Sequence, residues 1–89
     1  MEKHRIVITG VGVVAPNGIG KDEFWANCRA GTSGLKPVSL FDTSRFSFHD
    51  AGEILDFDPS KFLGPKGNRN LDRTTLLGLV AAKLALEDS

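Results

Sequence analysis

The sequence is short of cysteine, of net charge and of long apolar runs. Its only cysteine, Cys28, excludes an internal disulfide and is typical of a reducing compartment. Eleven basic and eleven acidic residues cancel, so any charged partner must be met by a local patch. No stretch of 18 apolar residues could span a bilayer, and the N-terminus lacks the apolar core of a signal peptide. These absences predict a cytoplasmic protein that binds neither nucleic acid nor membranes.

The chain has the composition of a globular protein and the length of at most one small domain, residues 1–89. Residues 5–15 are rich in β-branched side chains and predict one long strand, apolar on both faces, that ends at the turn signal Pro16-Asn17-Gly18. Residues 21–30 predict a short amphipathic helix that Gly31 ends, with Phe24, Trp25 and Cys28 on one side.

The second half of the chain divides into an irregular part and a helical part. Residues 32–65 carry most of the proline and five phenylalanines. This composition predicts a loop-rich segment that aromatic side chains hold in place, with a short edge strand at 51–54. From about Asn68 to the end the pattern is helical, and only Lys83 is polar between Leu76 and Leu86. A helix that is apolar nearly all round is expected to be buried on every side.

These elements are too few to cover one another. A strand that is apolar on both faces needs neighbouring strands and a layer on each side, and the apolar helix needs a shell. The sequence therefore predicts that the chain is the N-terminal part of a larger fold or half of an obligate assembly. A small domain with an unusually apolar helix is the alternative.

The opening residues also match a dinucleotide-binding fingerprint, because Gly10, Gly12 and Ala15 follow the pattern G-x-G-x-x-A. Such a site needs a helix that begins near the third position, whereas two valines and a Pro-Asn-Gly turn follow Gly12 here. Glycines inside a strand more often let another backbone or a bulky side chain approach closely. We therefore favour a packing role for these glycines.

Five segments in order resemble the β-ketoacyl-acyl-carrier-protein synthases, most closely the elongating type II enzymes. They are "RIVITGVGVVAPNGIG", "FWANCRAGTSGL", "FDTSRF", "AGEILDFDP" and "RNLDRTTLLGLVAAKLALEDS", and the resemblance runs in register from about residue 5 to residue 89. The resemblance implies an α/β, thiolase-like (αβαβα) fold, of which this chain is the incomplete N-terminal part. It also implies a homodimer in the full-length form.

The resemblance implies acyl transfer and decarboxylative condensation with a malonyl carrier protein. In that family a cysteine at a helix N-terminus takes the acyl group as a thioester, and two histidines assist loss of carbon dioxide and stabilise the enolate. All three lie downstream of the matched region, so no catalytic residue is assigned here. No cofactor or metal is expected, because the phosphopantetheine arm arrives on the acyl carrier protein. Two alternatives stay open, a non-catalytic chain-length factor and a small carrier-protein-binding module.

The cysteine and the two histidines of this chain are predicted to be structural or solvated. Cys28 lies on the apolar side of the first helix and is expected to be buried as a small hydrophobe. His4 and His49 show no metal-like spacing. Ser47 and Asp50 beside His49 supply the residue types of a triad without its geometry.

A local basic strip is the one candidate functional feature of the chain, with members Lys61, Lys66, Arg69 and Arg73. In the resembling family, cations at the start of this helix orient the acidic carrier protein, and Lys66 and Arg69 match those positions. Asn70 departs from the pattern, since close relatives often carry a cation there. Arg69 and Asp72 repeat an Arg-x-x-Asp spacing that predicts an ion pair on one helix face. A solvated helix start is the alternative interpretation.

Overall fold

Two short antiparallel ladders and three helices form the regular structure of this computed structural model, which describes residues 3–55, 57–68 and 70–89. The elements in chain order are β1 (Val14–Ala15), β2 (Gly18–Ile19), α1 (Lys21–Ala30), β3 (Leu35–Pro37), β4 (Asp50–Gly52), α2 (Ser60–Leu63) and α3 (Arg73–Asp88).

The predicted long strand over residues 5–15 is wrong in extent. Only β1 is a strand. The Val13 carbonyl before it accepts a hydrogen bond from the Gly20 N–H at 2.8 Å, and residues 3–12 belong to no strand. Ile6 is 93% exposed and Ile8 is 86% exposed. A strand exists only where a second strand completes its hydrogen bonds, and no other described segment is positioned to do so.

The predicted turn and first helix are confirmed. β1 and β2 form a hairpin in which Val14 pairs with Ile19, so residues 16 and 17 make the turn. α1 has the predicted bounds, and Gly31 ends it in the left-handed conformation at φ 72°. The side-chain amide of Asn27 donates to the carbonyl of Asn17, which ties the helix to the turn.

The middle of the chain is more regular than expected. β3 and β4 form a ladder in which Lys36 opposes Ala51, and this confirms an edge strand near residues 51–54 with bounds shifted to Asp50–Gly52. The partner strand β3 and the helix α2 were not predicted. Pinning by aromatic side chains is only partly right, because Phe41, Phe46 and Phe48 are exposed.

The last helix begins at Arg73, five residues later than predicted, because Asp72 caps it. The Asp72 carboxylate accepts a hydrogen bond from the Thr75 backbone N–H at 2.7 Å. Hydrogen bonds from Thr75 hold the pKa of the Asp72 carboxyl below its ordinary value. Aspartate is among the preferred residues at this position, since its side chain satisfies an N–H that the helix leaves unpaired.

The glycines of the opening segment lie against the backbone of α3. A methyl carbon added to Gly10 would stand 2.5 Å from the Ala85 carbonyl oxygen and 2.7 Å from the Ser89 nitrogen. One added to Gly12 would collide with the Ala81 carbonyl oxygen and stand 2.6 Å from the Ala85 nitrogen. Residues 81, 85 and 89 form one row along the helix, with a rise of about 6 Å every four residues. The predicted packing role of these glycines is confirmed, and we call this contact the glycine seam.

An ion pair closes the end of the glycine seam. The Lys21 ammonium at the start of α1 contacts the Asp88 carboxylate, and the Val11 backbone N–H donates to the same carboxylate at 3.0 Å. The hydrogen bond from Lys21 contributes most to the lowered pKa of Asp88, and the bond from the Val11 N–H lowers it further. Asp88 in turn raises the pKa of Lys21. One carboxylate therefore joins the opening segment, α1 and α3.

This carboxylate predicts a loss of stability in acid. Because the pKa of Asp88 is depressed in the folded state, its stabilisation is present above the ordinary aspartate range near pH ~4 and disappears as the pH falls through the folded-state pKa. In Asp88→Asn, the free energy of unfolding should therefore fall less steeply with acidification than in the wild type. Urea unfolding from pH 6 to pH 2.5 measures this, with Glu87→Gln as the neighbouring control. An unchanged slope in Asp88→Asn would contradict the assignment.

The described residues enclose very little core. Val80 is the one fully buried hydrophobic residue, and Leu86 on the same helix is 74% exposed, so burial of α3 on every side is not found here. The radius of gyration is 16.5 Å, against about 12 Å for a compact domain of this length. The surface of 7384 Å² compares with about 5,100 Å² for a folded protein of this mass. No helix in the described ranges is long and apolar enough to cross a membrane.

Candidate functional site: the basic strip before the last helix

The basic strip lies on the connection from β4 to α3, and its first cation belongs to α2. The Asp58 carboxylate lies just before α2 and accepts hydrogen bonds from the Ser60 N–H at 3.1 Å and the Ser60 hydroxyl at 2.6 Å. These bonds, and to a smaller degree the charge of Lys61, lower the pKa of Asp58. Lys61 is exposed in this helix.

Lys66 lies in a tight turn that glycine makes possible. Gly64 and Gly67 on either side of it have φ values of 87° and 88°, in the left-handed region that other residues rarely adopt. The Asn68 side-chain amide donates to the Gly64 carbonyl at 2.9 Å and closes the turn. Lys66 is exposed at its tip, so its ammonium is accessible to a partner.

The second predicted docking residue, Arg69, lies outside the described residues. The predicted ion pair between Arg69 and Asp72 is therefore outside the described structure as well, and both assignments stay predictions. Asn70, where the resembling family often carries a cation, is exposed.

Arg73 differs from Lys61 and Lys66 because its side chain contacts other parts of the chain. Its guanidinium donates a hydrogen bond from Nη2 to the Ile54 carbonyl, and its Cζ atom lies 5.6 Å from the centre of the Phe57 ring. This is within the range of a cation–π contact. The sequence contained no signal for these contacts, since the partners are 19 and 16 residues away along the chain.

The Glu53 carboxylate belongs to the residue before Ile54, whose carbonyl accepts the hydrogen bond from Arg73. It accepts hydrogen bonds from the Ser39 N–H at 2.8 Å, from the Ser39 hydroxyl at 3.0 Å and from the Leu40 N–H at 3.1 Å. The backbone bond from Ser39 contributes most to the lowered pKa of Glu53, and the positive charge of Arg73 lowers it further. A cavity of about 250 Å³ lies here, with Glu53 and Arg73 among its lining residues.

Lys61 and Lys66 present two exposed positive charges on this part of the chain. Two ion pairs occur among the described residues, Lys21 with Asp88 and Lys83 with Glu87, and neither involves Lys61 or Lys66. A pair of exposed cations on a neutral chain orients an acidic partner more than it raises affinity.

Cys28 is exposed, so the prediction that it is buried is wrong for this structure. It lies on the side of α1 that also carries Trp25, which is 62% exposed. The Asn17 amide lies 3.6 Å from its sulfur. His49 is within 3.2 Å of the Thr43 hydroxyl, and His4 is exposed. In the ranges that the structure describes, no group of three His, Cys, Asp or Glu side chains could hold a metal ion.

Comparison with known proteins identifies one family over almost the whole chain. The family model described as "Beta-ketoacyl synthase, N-terminal domain" matches residues 3–89. The 3-oxoacyl-[acyl-carrier-protein] synthase 2 of Coxiella burnetii is 44% identical over 89 residues, which are 100% of this chain and 22% of that protein.

Polyketide proteins match at similar levels. The ketoacyl synthase alpha subunit of the tetracenomycin polyketide synthase of Streptomyces glaucescens is 45% identical over 96% of this chain and 20% of its own length. The beta subunit from the same organism is 42% identical over 94% of this chain and 20% of its own length. A solved structure described as "The ishigamide ketosynthase/chain length factor" matches with a TM-score of 0.82 and 35% identity, over 92% of this chain and 20% of that chain. The chain thus spans about a fifth of the length of these relatives.

Proposed function

This chain belongs to the β-ketoacyl synthase family and carries part of its thiolase-like N-terminal domain, and from that premise we propose that it is the opening part of a 3-oxoacyl-acyl-carrier-protein synthase. The observation that carries the proposal is the family match over residues 3–89 together with the structural match at a TM-score of 0.82. The reaction would be decarboxylative condensation of an acyl thioester with a malonyl carrier protein, in fatty-acid or polyketide synthesis. The cysteine and the two histidines of that chemistry would lie beyond these 89 residues.

The exposed surfaces support a place within a larger fold. Ile6 and Ile8 in the opening segment, and Leu79 and Leu86 on α3, leave apolar area in water that would normally be buried. The remaining layers of the synthase would cover these side chains, and a second subunit would complete a homodimer.

We further propose that Lys66 and Arg69 dock the acyl carrier protein. Carrier proteins are acidic, and the exposure of Lys66 at the tip of its turn supports a direct contact. The phosphopantetheine arm would enter with the carrier, so the enzyme would need no dissociable cofactor of its own. The protein would act in the cytoplasm.

A second candidate is a non-catalytic chain-length factor. The beta subunit of the tetracenomycin synthase matches at 42% identity, only slightly below the 45% of the alpha subunit, and the matched structure contains a chain length factor by its description. The two candidates would share this region and differ in the downstream cysteine.

The test is a condensation assay with the full-length protein that carries this chain. The protein, an acyl carrier protein loaded with a short acyl group and malonyl carrier protein are combined, and the products are read by mass spectrometry. A synthase gives the 3-oxoacyl carrier protein and releases carbon dioxide. If no product forms alone but product forms when a catalytic partner subunit is added, the chain-length factor is supported. No product in either case contradicts both candidates.

A further inference from the structure

Arg73 occupies a place where a positive charge is unfavourable. It is the first residue of α3. The capping carboxylate of Asp72 beside it is hydrogen-bonded to the Thr75 N–H, and the first turn carries no further acidic residue. The N-terminal end of a helix is electropositive, so a cation there is destabilising unless other groups compensate it. The contacts that compensate Arg73 therefore indicate what this side chain does.

Those contacts join α3 to the segment that follows β4. The Nη2 atom of Arg73 donates to the Ile54 carbonyl, and the guanidinium lies over the Phe57 ring, 5.6 Å from its centre. Glu53, the next residue towards β4, is in turn hydrogen-bonded to Ser39 after β3. Arg73 thus fixes the first turn of α3 relative to the β3–β4 ladder.

The hydrogen bond from Arg73 to the Ile54 carbonyl joins the two ends of a loop that contains Lys61 and Lys66. The loop runs from Ile54 to Arg73, and α2 within it packs against α3. The position of Lys66 relative to α3 depends on how this loop is held, because its own turn is closed only locally by Asn68 and Gly64.

We propose that Arg73 is a positioning residue for carrier-protein docking: it holds the loop that presents Lys66 without itself contacting the carrier. This inference rests on the proposed docking function. The guanidinium is required rather than the charge alone, since its planar group can donate to a carbonyl and stack on a ring at the same time, whereas a lysine ammonium cannot.

The test compares five variants of the full-length protein in their affinity for an acyl carrier protein at several salt concentrations. A direct charge contact is kept when arginine is replaced by lysine, whereas a positioning role is lost, because it depends on the planar guanidinium and not on the charge alone. Lys66→Gln should weaken binding with a shallower salt slope. Arg73→Gln and Arg73→Lys should each weaken binding about 5-fold, also with a shallower slope, because both act through the contact of Lys66. Lys83→Gln, on the same helix and outside the basic strip, is the control and should bind as the wild type does.

Phe57→Leu keeps the protein neutral and apolar at that position and removes only the ring under Arg73. It should weaken binding in the same direction although it removes no charge, and melting temperatures establish that each variant is folded. If Arg73→Lys and Phe57→Leu bind as the wild type does and Arg73→Gln binds more weakly, Arg73 contacts the carrier directly and the inference is wrong. If only Lys66→Gln weakens binding, positioning by Arg73 is wrong and the docking function stands. If the wild-type protein does not bind the carrier at all, the docking function itself is wrong.

Discussion

Gly12→Ala is expected to lower the free energy of unfolding by at least about 3 kcal/mol. The added methyl group would collide with the Ala81 carbonyl oxygen and stand 2.6 Å from the Ala85 nitrogen. Both atoms belong to the backbone of α3, so no side-chain rotation can relieve the overlap, and the opening segment and the helix must separate. Urea unfolding of the full-length protein measures the loss.

The matched control for the glycine seam is Gly78→Ala, on α3 itself. A methyl group at Gly78 would meet no atom within 4 Å. Alanine is a better helix former than glycine by about 1 kcal/mol, so this substitution should not destabilise the protein. If Gly12→Ala were as stable as the wild type, the close approach of the opening segment to α3 would be wrong.

Lys66→Glu is expected to weaken binding of the acyl carrier protein by at least about tenfold. The substitution places a negative charge at the tip of an exposed turn that we propose faces an acidic partner. The loss should be largest at low salt, because screening weakens the repulsion between exposed charges. Titration of the full-length protein with a fluorescent carrier protein measures the affinity.

Lys83→Glu is the control for this charge reversal, since it makes the same change of charge at an exposed position nearer the end of α3. It should bind the carrier within about twofold of the wild type, as an exposed charge away from the interface contributes little. Equal losses in Lys66→Glu and Lys83→Glu would show an effect of net charge alone and would contradict a docking role for Lys66.

The elements predicted well are those that local signals define. α1 has its expected bounds because acidic residues occupy its first turn and Gly31 can adopt the left-handed conformation that ends it. The sequence prediction starts α3 too early, because it extends the apolar pattern back to Asn68 although Asp72 carries the capping signal.

The elements predicted poorly depend on neighbours distant in sequence. The β-branched run at residues 5–15 records a preference for extended structure, but a strand also needs a partner that supplies hydrogen bonds. Cys28 lies on an apolar side as predicted, yet its burial depends on a covering layer that no described element supplies. The glycines could be assigned to a close backbone approach, but not to the row Ala81, Ala85 and Ser89 that they meet.

In the candidate site, too, the features set by local sequence could be predicted and the contacts between distant residues could not. Lys66 was predicted from its resemblance to docking positions of the family, and the glycines beside it explain its exposed turn. The contacts of Arg73 could not be predicted, because the Ile54 carbonyl and the Phe57 ring come near it only after β4 and α3 are placed.

The measurement that tests the account most directly is the intact mass of the natural gene product, purified from its own cells. We propose that this chain is one part of a β-ketoacyl synthase whose remaining layers cover its exposed apolar side chains. The expected mass is therefore several times the 9.6 kDa of these 89 residues. A natural product of 9.6 kDa would contradict this account, since the chain would then have to act without the layers that its fold requires.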